Sequence, residues 1–216
     1  NGNAGYAKSG QIITLTITAS ETVTGLVCTI DGEATTMGGS GTAWTSALTI
    51  SGDETEQNTV FSCASHVDAA GNAGVTDTTA NSGAVIVDYT APTSTSAVIA
   101  TSGSGNANDA DVVTLTLNPS EAVGTPTCTW TDGSGAMADT SVTYGTTGDD
   151  SHTAAVTVDN ADEDGAVGFS CTYSDLAGNA IASAITSTSD SSSVTIDNTH
   201  PTLTAVGIAV DNTGNA

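Results

Sequence analysis

The chain has 216 residues, of which 24 are acidic and one, Lys8, is basic, so its formal charge is −23 at pH 7. That balance argues against nucleic-acid binding and against docking to an anionic membrane, since both need clustered Lys and Arg. Only 12% of residues are charged while 38% are hydrophobic, enough apolar material for small cores, and the 40 threonines favour strands over helices.

The first clear element is Ile13, Leu15 and Ile17 alternating with Thr14, Thr16 and Thr18, the period-2 pattern of a strand buried on one face. Leu26, Cys28 and Ile30 follow in phase, then an Asp31-Gly32 hairpin signal. Trp44, Ser46, Leu48 and Ile50 share one face, and Phe61 shares one with Cys63. Next come an Asp68-Ala69-Ala70-Gly71-Asn72 turn, a strand with Val85 and Val87, and a link through Asp88, Thr90 and Pro92.

The whole series then recurs. Val113, Leu115 and Leu117 repeat the first strand, Ser120-Glu121 repeats Ser20-Glu21, and Cys128 repeats Cys28, all at an offset of 100. Asp132-Gly133 stands for Asp31-Gly32, and His152, Ala154, Val156 and Val158 stand for the Trp44 face. Phe169-Ser170-Cys171 repeats Phe61-Ser62-Cys63 at an offset of 108, and Asp175-Leu176-Ala177-Gly178-Asn179 repeats the turn. Val194, Ile196 and Asp197 through Pro201 close the copy at an offset of 109. The second copy therefore carries about eight extra residues, which fall in the Gly/Asp/Thr-rich stretch 133–150.

About seven short strands per 100–110 residues predict an all-β chain: two immunoglobulin-like β-sandwich domains in tandem. The expected boundaries are residues 1–92 and 93–201, followed by a C-terminal strand at 202–216. In each copy the cysteines fall on what would be the third and sixth strands, neighbours in one sheet of such a sandwich. This predicts Cys28–Cys63 and Cys128–Cys171 disulfides and an oxidising compartment, with two buried thiol pairs as the alternative.

The register leaves one strand over. Residues 202–216 repeat the layout of residues 93–107, an aliphatic strand followed by a Gly-Asn-Ala turn, while the first copy begins at such a turn and lacks a first strand. The expectation is donor-strand complementation. Thr204, Val206, Ile208 and Val210 of one chain would complete the first domain of another copy, a head-to-tail homopolymer. An excised piece of a longer array and intramolecular closure are the alternatives.

Three features, each present twice, resemble the bacterial immunoglobulin-like repeats of large surface proteins and adhesins. They are the aliphatic strand ending in Ser20-Glu21 or Ser120-Glu121, the Asp-x-Ala-Gly-Asn turn, and the Val-x-x-Asp-x-Thr-x-Pro link. The resemblance implies an extracellular, cell-surface role as a filament or array subunit, or as a stalk segment of a giant adhesin. It also implies Ca²⁺ at the domain junctions, through Asp68 and Asp88 at one and Asp175 and Asp197 at the next, with Asp109 and Asp111 in a nearby turn. Asp68 and Asp175 could equally cap their own turns. The acidic loops 53–56 and 159–164 are second-choice ion sites.

Catalysis finds little support. His66, His152 and His200 have no metal-ligand spacing, and no nucleophile elbow or P-loop occurs. A glycan- or receptor-binding module is the third reading, with Met137 and Tyr144 exposed in the insertion as its contact residues. No run of about 20 apolar residues occurs, so no direct membrane insertion is expected.

Overall fold

The computed structural model describes residues 5–81, 83–147 and 150–209. Among them there are only strands, turns and irregular segments, and no helix is long and apolar enough to cross a membrane. The first repeat forms β1 (Tyr6–Ala7), β2 (Ile12–Val23), β3 (Val27–Ile30), β4 (Glu33–Ala34), β5 (Thr36–Thr49), β6 (Phe61–Ala64) and β7 (Ile86–Val87). β2 pairs antiparallel with β5, placing Ile13 opposite Leu48, Leu15 opposite Ser46 and Ile17 opposite Trp44. The two alternating patterns thus meet on one face. The facing sheet has the order β4-β3-β6. Its β3–β4 hairpin turns on Asp31 and Gly32, with φ of 52° and 87°. A two-residue turn needs positive φ at both positions to match the strand twist, and an Asp-Gly pair supplies it.

The second repeat forms β8 (Ser94–Thr101), β9 (Val112–Pro119), β10 (Thr127–Thr131), β11 (Thr143–Thr146), β12 (His152–Thr157), β13 (Gly165–Ala166), β14 (Gly168–Thr172) and β15 (Thr195–Ile196). One sheet runs β11-β12-β9-β8, and β10 pairs with β14 opposite it. β9 and β12 repeat the β2–β5 register, with Leu115 opposite Ala154 and Leu117 opposite His152. The Asp132-Gly133 signal makes a longer reversal here, closed by an Asp132 N–H to Gly135 O bond. The chain is two tandem immunoglobulin-like β-sandwiches.

Cys28 lies directly opposite Cys63 on β3 and β6, and Cys128 opposite Cys171 on β10 and β14. Both pairs are disulfides, as expected for strands that are neighbours in one sheet. Each closes a loop of 35 or 43 residues and contributes about 2–4 kcal/mol. Two disulfides mark an extracellular or secreted protein.

The cores differ. In the second domain one continuous cluster runs from Ala97 through Leu115 and Phe169 to Ile196. The first domain has two sealed patches, one around Ile13, Ile50 and Val87, the other around Leu26 and the Cys28–Cys63 bridge, with the half-buried Leu15 and Phe61 packed against both.

Each domain ends in the same clasp. Glu56 accepts hydrogen bonds from the Tyr89 and Thr90 amides and the Thr90 hydroxyl. In the second domain Asp164 accepts from the Asn198 amide and the Thr199 hydroxyl. The acidic loops read as second-choice ion sites therefore hold the segment that leaves each sandwich.

Candidate functional site

Two places stand out, and both follow from the repeat. The first is a groove of about 530 Å³ on the first domain, lined by Leu15, Ile17, Phe61, Cys63, Asp77 and Asn81 among others. Its walls are the outer edge of β2 and the strand-like segment that bonds to Cys63 through Asp77. At the equivalent place in the second domain lies β8. It pairs with β9 on one side, Ala97 opposite Leu117 and Ile99 opposite Leu115. On the other side the Ser189 amide donates to the Ala97 carbonyl at 2.8 Å, and the Ile99 amide donates to the Ser192 hydroxyl at 3.0 Å. β8 thus bridges the two sheets and seals the core, with Ala97 and Ile99 at 2% and 4% exposure.

Among the described residues no strand fills that place in the first domain. Leu15 and Ile17 are only half-buried, whereas their counterparts Leu115 and Leu117 are sealed. The segment with the β8 layout, residues 202–209, joins no sheet of its own chain among the described residues, and Leu203, Val206 and Ile208 stand free in solvent. Thr204 is exposed as well, and Val210 lies outside the described residues.

The second place is the junction between the domains. The residue 175–179 turn is tied by the Asp175 carboxylate, which accepts from the Asn179 amide and from Asn179 Nδ2, both at 2.8 Å. Gly178 takes a φ of 89° to close it, a conformation that costs glycine nothing. Asn179 Nδ2 also reaches the carbonyls of Asp88 at 3.0 Å and Thr90 at 3.5 Å, across the domain boundary. Lys8 Nζ donates to the Gly178 carbonyl from the other domain. At the start of β8 the Thr93 amide donates to Ser120 Oγ, and the Ser120 amide donates back to the Thr93 carbonyl.

Asp88, Glu121 and Asp175 converge there, with a carboxylate oxygen of each within 4.8 Å of the others. Burial, and then the Asp175 charge, pushes the Asp88 carboxyl above the usual range. Burial first, then Asp88 and Asp175, does the same to Glu121.

The sequence expectation paired these acids differently. Asp175 faces Asp88 of the preceding repeat, not Asp197, which is exposed. Asp68 ties its own turn, accepting from the Ala70 and Asn72 amides and from Asn72 Nδ2. Asp111 caps the turn before β9, accepting from the Asn108 amide and the Ser102 hydroxyl, and Asp109 is exposed nearby. Glu121 was not among the expected ion ligands, although its doubled Ser-Glu motif was visible. Asn179 was visible as the last residue of the doubled turn motif, though not as a contact across the junction, and Lys8 carried no such signal.

The insertion also differs from expectation. Met137 is buried in the core at 3% exposure, not offered to solvent. Tyr144 is partly exposed on β11, an edge strand, and its phenol oxygen accepts from the Cys128 amide. Residues 148 and 149 of the insertion lie outside the described residues.

No protein-family model matches the chain, and no curated protein sequence matches it significantly. Solved structures similar to it include an I-band fragment of titin, 10% identical over 89% of this chain and 62% of that chain, with a TM-score of 0.43. A chimeric titin Z1Z2 functionalised with a decorin peptide is 11% identical over 90% and 92%, with a TM-score of 0.38. Bovine butyrophilin is 11% identical over 87% and 96%, with a TM-score of 0.31. At these scores the likenesses carry nothing on function.

Proposed function

We propose that this protein is a structural subunit of an extracellular filament or surface array. Its copies join head to tail when residues 202–210 of one chain enter the open groove of the next chain's first domain. One observation carries this reading: the second domain holds β8 in the place that is a groove in the first, and a segment of the β8 pattern stands free. Aligned on β8, Val206 takes the place of Ala97 and Ile208 that of Ile99. The donor would gain ladder bonds along β2 and cover Leu15 and Ile17, and the open sheet edge would lose its exposure.

The test compares polymer formation, by light scattering and negative-stain microscopy, for the intact chain, a chain cut after Pro201 and the Ile208→Asp variant. Long polymers from the intact chain and monomers from both variants are expected. Monomers from all three would sink the proposal. A native protein much larger than 21.1 kDa on a reducing denaturing gel would place the same joint inside one polypeptide, as in an adhesin stalk.

Calcium belongs to the same proposal. Asp88, Glu121 and Asp175 supply the hard oxygens that Ca²⁺ prefers, and the Asp88 and Glu121 carboxyls, raised by burial first and by neighbouring like charge second, would be relieved by a cation. Bound there, the ion would stiffen the link between domains. Added Ca²⁺ should raise the melting temperature of the intact chain and leave Glu121→Gln nearly unmoved. An equal rise in both would remove these residues from the site.

A further inference from the structure

We propose that the joint seen between the two domains is built a second time between chains, with Ser20 and the residue 68–72 turn of one copy gripping residues 197–202 of another. This rests on the strand-exchange reading and adds to it a second, polar contact outside the groove.

Both halves of such a joint are already on the chain, and the turn and the leaving segment are each bonded internally as in the formed one. The acceptor half is the residue 68–72 turn. It shares the bonds of the 175–179 turn that involve its asparagine: Asp68 N–H to Asn72 O at 3.1 Å against Asp175 N–H to Asn179 O at 3.0 Å. The Asn72 amide and Nδ2 bond Asp68 at 2.8 and 2.7 Å, as Asn179 bonds Asp175 at 2.8 and 2.8 Å. Gly71 and Gly178 take φ of 87° and 89°. Asn179 Nδ2 also donates to the Asp88 and Thr90 carbonyls. Asn72 is exposed.

The donor half is the segment leaving the second domain. The Asp197 amide bonds Ala107 O at 2.9 Å, as the Asp88 amide bonds Ala7 O at 2.9 Å. The Thr199 amide bonds Asp197 Oδ1 at 3.2 Å, as the Thr90 amide bonds Asp88 Oδ1 at 3.3 Å. Asp164 and Glu56 hold the two segments alike. The Asp197 and Thr199 carbonyls therefore point from their domain as those of Asp88 and Thr90 do.

Exposure agrees. In the formed joint Asp175 and Ala177 are buried and Glu121 and Asn179 are half-buried. Their counterparts Glu21, Ala70 and Asn72 are exposed, and Asp68 is half-buried. By register, Asn72 Nδ2 donates to the Asp197 and Thr199 carbonyls of the second copy. The Thr202 amide of that copy donates to Ser20 Oγ, and the Ser20 amide donates back to its carbonyl.

The experiment measures exchange of N-terminally dye-labelled chains between polymers, together with hydrogen exchange at the Thr202 amide, for intact, Ser20→Ala, Asn72→Ala and Ile208→Asp chains. Loss of one such bond should speed exchange about 3- to 10-fold while polymers still form, and Ser20→Ala should also lose protection at Thr202. Asn72 supports its own turn, so the exposed Ser20 is the cleaner variant. If Ser20→Ala and Asn72→Ala exchange at the intact rate while Ile208→Asp forms no polymer, the polar joint is refuted and strand exchange stands. If the intact chain forms no polymer, both fall.

Discussion

Leu15 and Leu115 hold the same place in two copies of one pattern, yet Leu115 is sealed at 0% exposure and Leu15 lies half-open beside a groove. Beside Leu15 the difference is one strand. With β8 in place the two sheets of the second domain share a single sealed core, and without its counterpart the first domain's two sealed patches are joined only through the half-buried Leu15 and Phe61. A sandwich needs a strand that crosses between its sheets to close its open side. The second domain also carries the insertion, with Met137 buried in its core, so the missing strand is the main difference beside Leu15 and not the sole one.

The sharpest way to break this comparison is to close the open domain. Residues 202–210 grafted ahead of Asn1 should seal the groove in cis. Burying Val206 and Ile208 is worth about 3–6 kcal/mol, so calorimetry should show the first domain melting higher by on the order of 10 °C or more, with polymers lost. An unmoved transition would mean the groove takes no strand.

Next in size, Leu115→Ala should cost the second domain about 2–5 kcal/mol. Leu15→Ala should cost a monomer distinctly less and approach the Leu115 value in a polymer. Denaturant melts in both states check this, and equal costs in monomers would deny that the two sites differ. Replacing Cys28 and Cys63 by Ala should cost about 2–4 kcal/mol and unfold the first domain well before the second. The matching change at Cys128 and Cys171 should leave both domains folded at room temperature.

The smallest effect is that of pH, and its sign depends on the place. Asp88 and Glu121 have raised carboxyls, so their contribution is present below the ordinary carboxylate range and is lost as pH rises through their folded values. Without cations the domain junction should loosen toward neutral pH, seen as faster hydrogen exchange at Asn179. Glu54 behaves in the opposite way. Amides of Ser51 and Gly52 hold its carboxyl at about 2, against an ordinary 4.5. Its contribution is present above the ordinary value and lost as pH falls toward 2. Asp132, also held at about 2 by the Glu163 and Ser134 amides, follows Glu54. Carboxyl titration by NMR separates the two classes.

Much of this was legible in the residues. Alternation at Ile13, Leu15 and Ile17 named a strand and its buried face. The constant offsets named two domains, and the cysteine register gave both bridges. The junction was harder. Register aligns Asp68 with Asp175, but it does not say that the 175–179 turn meets the segment leaving the preceding repeat rather than its own. Register alone therefore sets Asp175 beside Asp197 and passes over Glu121. Met137 was misread because a single apolar residue among Gly, Ser and Asp has no periodic neighbours to mark its direction.

Lys8 gives the junction its only ammonium and the chain its only cleavage point for trypsin. Asn108 stands in its place in the second repeat. Its side chain is engaged at the Gly178 carbonyl when the domains are docked, and its amide and carbonyl both bond Gln11, so trypsin seats it only after that contact and the local turn let go. The rate of that one cut should therefore report local opening on this side of the junction, readable without any label.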